Sequence, residues 1–297
     1  MLAIVIPYYK RTYFEETLQS LANQTDKRFK VYIGDDASLE DPSKLLEKYR
    51  EKFQFVYKKF ERNLGGNSLV NHWNRCIALT KNENWIMILG DDDVLDKTVV
   101  ASLYKYYELF NKKSNLIRFA SRVICEKSQT VSDVYYHPIW ESASDSFYRK
   151  FSYLTRSSLS EYIFSRAAYI KYGFHDFPLA WHSDDCAWLE FSDNKPIFTI
   201  NESIVHVRVS ENSITGNLEN VIQKDLAKLK FYRFIVLKKL EFYNKLQRKK
   251  ILDKYENTIK NIRKIYLTEW FLIFFSYLKY FDRYSFKKVL KRFIKSI

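Results

Sequence analysis

Three consecutive aspartates, Asp91, Asp92 and Asp93, follow the apolar run at residues 85–89 and a single glycine, Gly90. Adjacent carboxylates repel one another, and burying their charge is costly unless a cation or several donors compensate it. A divalent metal is the simplest compensation, because Mg²⁺ and Mn²⁺ take hard oxygen ligands and keep positions open for phosphate oxygens. The plain alternative is a solvated turn in which Asp96 caps the following helix. Two further acid pairs, Asp35-Asp36 and Asp184-Asp185, recur along the chain. The second opens a helical stretch, where a carboxylate is ordinarily a cap.

The elements that must position these residues follow from patterning. Five apolar residues without polar alternation at 85–89 suit a strand covered on both faces, and ligands of open α/β sheets bind beyond the carboxyl ends of such strands. Residues 2–6, ending at Pro7, form the expected first strand, with Tyr8, Tyr9, Lys10 and Arg11 as its loop. A helix over 14–23, with Thr12 as cap, leads to a second strand at 29–33 that runs into Asp35-Asp36. Helix 45–53 and strand 55–57 come next. Residues 63–67, Asn-Leu-Gly-Gly-Asn, make a glycine turn whose backbone N–H groups can approach a ligand and which opens a helix over 68–80. A helix over 96–110 follows the aspartate triplet. This alternation through about residue 120 is the signature of a doubly wound nucleotide-binding half. Beyond it the pattern is mixed: a strand at 162–164, a helix at 167–172 stopped by Gly173, the helix opened by Asp184-Asp185, and strands at 197–200 and 203–209, the last bearing His206 and Arg208.

Charge divides the chain in two. Residues 217–297 carry 21 Lys and Arg against 7 Asp and Glu, which accounts for the whole net charge of +14, and the remainder is balanced. The tail is expected to be helical throughout. At its end Phe286, Val289, Leu290, Phe293, Ile294 and Ile297 share one face, with Lys287, Lys288, Lys291, Arg292 and Lys295 opposite, the pattern of a helix that lies in an anionic membrane interface. No run reaches the roughly 18 apolar residues of a spanning helix. The start of the chain lacks a charged leader and cleavage site, so the expected location is cytoplasmic, peripherally associated with the inner face of the plasma membrane. Cys76, Cys125 and Cys186 lack metal spacing and read as reduced core filler.

The ordered set formed by residues 4–9 (Ile-Val-Ile-Pro-Tyr-Tyr), 34–38 (Gly-Asp-Asp-Ala-Ser), 63–65 (Asn-Leu-Gly) and 89–95 (Leu-Gly-Asp-Asp-Asp-Val-Leu) resembles glycosyltransferase family 2. The resemblance implies an α/β GT-A fold, with a mixed sheet, helices on both faces and a C-terminal helical extension. It divides the chain into a transferase domain at 1–215, with a nucleotide-binding half at 1–112 and an acceptor-binding half at 113–215, followed by the basic extension at 216–297.

Carried over by position, the resemblance implies that Pro7 and Tyr9 line the base pocket, Tyr9 by stacking, and that Asp36 accepts a hydrogen bond from the base. Asn63 and Gly65 lie near the nucleotide. Asp92 and Asp93 match the DXD-type pair, Asp92 on the nucleotide side and Asp93 on a Mn²⁺ or Mg²⁺ ion. Gly90 stands at an ordinarily acidic position, which leaves Asp91 as a flank of the metal site. Asp185 matches the catalytic base, with Asp184 as the competing choice; Arg208 is a candidate for diphosphate contact and His206 for a further metal ligand.

The implied activity is metal-dependent inverting transfer of a sugar from a nucleotide-diphosphate donor to a hydroxyl of a glycan or polyprenyl-linked acceptor, in bacterial surface polysaccharide synthesis. A homodimer built on tail aromatics is compatible with this reading, and no nucleic acid partner is expected. A sugar-phosphate nucleotidyltransferase is the competing enzyme class, but residues 7–10 are not its glycine-rich loop. A non-enzymatic membrane- or nucleic-acid-binding module leaves the three acid clusters unexplained.

Overall fold

The computed structural model describes residues 1–210 and 220–295, and the chain divides into two compact units, Met1–Glu219 and Asn220–Ile297. The expected boundary at 215/216 lies outside the described residues.

In the first unit, β1 (Leu2–Tyr8), α1 (Phe14–Ala22), β2 (Phe29–Asp35), α2 (Ser43–Glu47), β3 (Phe55–Lys59), α3 (Leu69–Ile77), β4 (Trp85–Ile88) and β5 (Val94–Leu95) follow in order. Then come α4 (Val99–Lys105), α5 (Tyr107–Phe110), β6 (Leu116–Cys125), β7 (Thr130–Val131), β8 (Trp140–Glu141) and α6 (Ala143–Phe151). The unit closes with β9 (Tyr162–Ser165), α7 (Arg166–Tyr172), α8 (Ser183–Phe191) and β10 (Ile197–Val209).

The strands form one mixed sheet in the order β3-β2-β1-β4-β9-β6-β10-β5, with β7 on β6 and β8 on β10. Strands β3, β2, β1 and β4 run parallel, while β9 is antiparallel to both its neighbours. Leu2 through Ile6 are fully buried, as the unbroken apolar run requires of a strand with helices on both faces. The strand register sets Tyr8 beside Asp35, so the loops after β1 and β2 emerge together at one sheet edge.

Several boundaries differ from the expectation. The helix expected at 96–110 starts at Val99, with the Asp96 carboxylate engaged by Ile204 and His206 of the neighbouring strand instead of capping it, and is interrupted at Tyr106. Residues 197–209 form one strand whose register shifts between Ile200 and Ile204, not two. The N-cap of α1 is Tyr13 rather than Thr12, and α2 is a short helix ending at Glu47. Gly173 does end α7, with a positive φ of 63°.

The second unit holds α9 (Val221–Lys238), α10 (Lys245–Ile262), α11 (Leu267–Tyr280) and α12 (Arg283–Ile294). The tail is helical as expected, divided into four α-helices among the described residues. Asn244 opens α10 with a reciprocal capping box to Gln247, and Asp282 caps α12 through the N–H of Ser285. The apolar face of α12 is partly covered: Val289 is fully buried and Phe293 packs its ring on Trp270 and Phe274 of α11, while Leu290 and Ile294 are exposed. Ile297 lies outside the described residues. No described helix is long and apolar enough to cross a membrane.

Candidate functional site

At the edge where β1, β2 and β4 end, three loops are bolted together by carboxylates. Asp91 Oδ2 accepts the backbone N–H groups of Tyr9 (2.8 Å) and Lys10 (2.9 Å), so the triplet's first acid fixes the loop after β1. Asp36 takes the N–H of Leu64 on one oxygen (2.7 Å) and of Gly65 on the other (2.8 Å), with the Arg75 guanidinium closing on it from α3. A Cβ on Gly65 would stand 2.6 Å from Asp36 Oδ2, so glycine is needed for the turn to reach this carboxylate. Asn63 secures the same turn by accepting the N–H of Gly66. Half-exposed Tyr9 and Pro7 form walls of a cavity of about 370 Å³ that Asp91, Asp92 and Asp93 also line.

Within the triplet, Asp93 is the deepest. Its Oδ1 accepts the N–H of Arg208 (2.8 Å), and its Oδ2 accepts the Ser160 hydroxyl, which in turn takes the N–H of Gly90. Gly90 earns its place sterically. A Cβ there would lie 2.8 Å from Asp93 Oδ2 and 3.0 Å from Asp92 Oδ1, so the two carboxylates converge over a bare backbone.

Burial, then repulsion from Asp93 and Asp91, pushes the Asp92 carboxyl up to about 8. Burial pushes Asp91 up to about 6 against the pull of its two N–H donors, and Asp93 is raised chiefly by burial too. Ionised together, these converging hard-oxygen donors would carry a charge excess that a divalent cation relieves, and the residues present fit one.

Other expected site residues are committed elsewhere. His206 Nε2 pairs with Asp96 Oδ1 at 2.9 Å, and His206 lines a different cavity with Glu15 and Gln19 of α1, so it is not gathered with Asp92 and Asp93. The Arg208 guanidinium is spent on Glu16 and Glu126, lies over the Tyr13 ring at 4.1 Å, and donates from Nε to the Asp92 carbonyl. Arg208 thus clamps the aspartate loop instead of presenting a free guanidinium, and it lines the cavity that holds Asp184 and Asp185.

The third acid pair sits at the start of α8. Arg118, buried on β6, bonds Glu141 and Ser146 and so fixes α6, the helix that carries Lys150. Lys150 Nζ reaches both oxygens of Asp185 (2.7 and 2.8 Å), and His182 Nδ1 lies 2.7 Å from Asp185 Oδ2. Burial raises the Asp185 carboxyl, but Lys150 and His182 outweigh it and hold it well below the carboxylate range. Asp184, less buried, is pushed up to about 6 by desolvation and by Asp185. Both line a second cavity, of about 550 Å³, with Lys150, Trp181 and Tyr153. Leu69, Trp73, Ser158 and Leu159 line both this cavity and the one at the aspartate triplet, so the two are neighbours across a shared wall.

Sequence reasoning missed Ser160, Lys150 and Arg75. Ser160 falls in a serine-rich stretch with no pattern, and nothing local marks one lysine among 49 Lys and Arg. On the far side of α8, His175, Cys186 and Glu190 lie close together, with His175 Nε2 already 2.8 Å from Glu190.

The sequence profile of "Glycosyl transferase family 2" matches residues 3–175, more than half of the chain. The chain belongs to this family. The poly(ribitol-phosphate) beta-N-acetylglucosaminyltransferase TarS of Staphylococcus aureus is 30% identical over 99 residues, which span 32% of this chain and 17% of that protein's length. Among solved structures, S. aureus TarS 1-349 in complex with UDP-GlcNAc superposes with a TM-score of 0.65 at 18% identity, covering 93% of this family 2 chain and 79% of the other. The mannosyltransferase PcManGT from Pyrobaculum calidifontis, in complex with GDP-Man and Mn²⁺, gives 0.57 at 11% identity, covering 99% and 79%. These likenesses fix the fold as the mixed α/β architecture of family 2 transferases.

Proposed function

We propose that this family 2 chain is a metal-dependent inverting glycosyltransferase that moves a sugar from a nucleotide-diphosphate donor to a hydroxyl of a glycan or lipid-linked acceptor in bacterial surface polysaccharide synthesis. The observation that carries the reading is the shared wall between the aspartate-lined cavity and the cavity of Asp184 and Asp185. A donor held in the first would present its sugar to an acceptor in the second. On this reading residues 1–112 bind the nucleotide and 113–215 the acceptor. Similarity to a protein that binds UDP-GlcNAc makes a UDP-sugar the first donor to test.

Each residue has a role in this scheme. Pro7 and Tyr9 flank the base. Asp36, expected to accept a hydrogen bond from the base, instead has both oxygens on Leu64, Gly65 and Arg75 and so holds the Asn63–Gly65 turn, while Asp91 locks the first loop. Asp93 and Asp92 would hold Mn²⁺ or Mg²⁺, which when bound supplies Lewis-acid stabilisation of charge building on the departing diphosphate. Arg208 keeps the aspartate loop in place.

The acceptor hydroxyl is a poor nucleophile until its proton is taken as the bond forms. Asp185 takes that role by its match to the family's second acid, with Lys150 and His182 keeping it ionised and aimed. Attack from the side opposite the leaving diphosphate inverts the anomeric centre. The basic C-terminal helices associate with the anionic inner membrane surface, where a polyprenyl-linked acceptor resides.

The test is a donor screen with Mn²⁺. Release of nucleoside diphosphate from one sugar nucleotide, dependent on metal and lost in Asp93→Ala, is the expected result. Equal metal-dependent release in that variant would remove the reading.

A further inference from the structure

The second unit exposes an apolar stripe that its own packing does not explain. On α11 one side is spent inward: Trp270, Ile273 and Tyr277 are buried, and Phe274 packs on Phe286 and Phe293 of α12. Glu269 is buried against Arg263, which it binds through both oxygens. The other side presents Leu267, Phe271, Phe275 and Leu278, which are 63%, 69%, 65% and 64% exposed. Their spacing of four, four and three residues makes one continuous stripe about three turns long on a single helix face. Four large apolar side chains in a row at that exposure are unusual on a soluble surface and mark a contact.

The charge around the stripe decides what that contact is. Lys264, Lys279, Arg283, Lys287, Lys288, Lys291 and Lys295 are exposed over residues 264–295. The acids of the same stretch are Glu269, buried on Arg263, and Asp282, paired with Lys245 while capping α12. The hairpin surface is therefore apolar and cationic with no unpaired acid among the described residues. A second copy of the chain would bring a like-charged surface against it, and stacked bases would leave four aliphatic and aromatic side chains without an apolar phase. An anionic lipid surface satisfies both features, since headgroups neutralise the lysines while acyl chains receive the stripe.

We infer that α11 is the membrane-inserting element, with Leu267, Phe271, Phe275 and Leu278 entering the interface and the lysines of α12 lying on the headgroups. The inference rests on the membrane association proposed above and relocates it. Phe286, Val289 and Phe293 of α12 hold the hairpin together, leaving Leu290 and Ile294 exposed, while α11 presents the longer continuous stripe to a lipid phase.

The experiment is co-sedimentation of the full chain with phosphatidylglycerol-containing vesicles and with phosphatidylcholine vesicles, for wild type and Phe271→Glu/Phe275→Glu. Both positions are largely exposed, so the fold is expected to survive, which circular dichroism and a thermal melt check. Lys287→Gln/Lys288→Gln/Lys291→Gln serves as a second variant. Wild type should bind the anionic vesicles, with each variant reducing the partition by about tenfold or more.

Wild-type binding that the phenylalanine variant retains would overturn the assignment of α11 while leaving membrane association standing. No wild-type binding would overturn both. A wild-type dimer that the phenylalanine variant breaks, or preferential capture by a competing oligonucleotide, would overturn the choice of occupant. Sugar-nucleotide turnover on a soluble acceptor, measured on the same proteins, reports on the transfer reading separately and should be unchanged.

Discussion

Asp91 binds Tyr9 through the backbone: its Oδ2 accepts the Tyr9 N–H at 2.8 Å and the next N–H, of Lys10, at 2.9 Å. The triplet thereby does two jobs, with its first acid holding the loop that carries Tyr9, the residue proposed to stack on the base, and the other two converging over Gly90. In Asp91→Asn both hydrogen bonds lose their charged acceptor, at a cost of about 1–3 kcal/mol. The expected kinetic result is a raised donor KM with a smaller change in kcat, because the proposed role of the loop is to position the nucleotide and not to touch the reacting bond.

Gly90 and Gly65 make a paired steric prediction. Gly90→Ala drives a Cβ into Asp92 and Asp93, and Gly65→Ala drives one into Asp36. Each should cost about 1–3 kcal/mol of stability as an overpacking substitution. Gly90→Ala should weaken metal binding and Gly65→Ala donor binding. Thermal melts with and without metal and donor separate the two.

The raised carboxyls predict how metal and pH are linked. Unfolded, an aspartate ionises near about 3.9, whereas in the fold Asp92 keeps its proton up to about 8 and Asp91 up to about 6. Folding thus favours the protonated forms, so this contribution is fully present below about 3.9 and is lost as pH rises from there to about 6 for Asp91 and about 8 for Asp92. Without metal, stability should fall across that window. Cation affinity should rise across it as protons stop competing, so the melting-temperature gain from Mn²⁺ should be larger at pH 8 than at pH 6. A gain that is flat with pH would contradict the placement of the ion on these carboxylates.

Much of the transferase architecture was legible because its strands are apolar without alternation and each runs into a polar loop. Residues 2–6 and 85–88 read as covered strands because each run is short, unbroken and apolar and ends in a turn signal. Partner choice was not legible. That Asp96 would serve His206, or that Arg208 would turn to Glu16 and Glu126, depends on residues about 80 to 190 positions distant meeting across β10, and no local pattern encodes that. The α12 face was legible as apolar, but whether it met a membrane or a core was not, because its covering partner, α11, is apolar on two sides.

The acid pair on α8 separates by substitution. Asp185→Asn should lower kcat by on the order of 10²–10⁴-fold, the contribution of a positioned base, with donor binding retained. Asp184→Asn should cost less. Lys150→Met frees the Asp185 carboxylate from its ammonium and should raise the apparent pKa of the acidic limb of the pH–rate profile. If Asp184→Asn proves the more damaging, the base is Asp184, whose carboxyl is already pushed up to about 6.

The central claim is that Asp93 and Asp92 hold a divalent cation on a sugar nucleotide. Isothermal titration of Mn²⁺ in the presence of the nucleoside diphosphate, into wild type and Asp93→Ala, tests it most directly. The account predicts saturable binding at one site in wild type and a loss of on the order of 10²-fold or more in the variant. Equal affinity in the two proteins, with the variant folded, would contradict it.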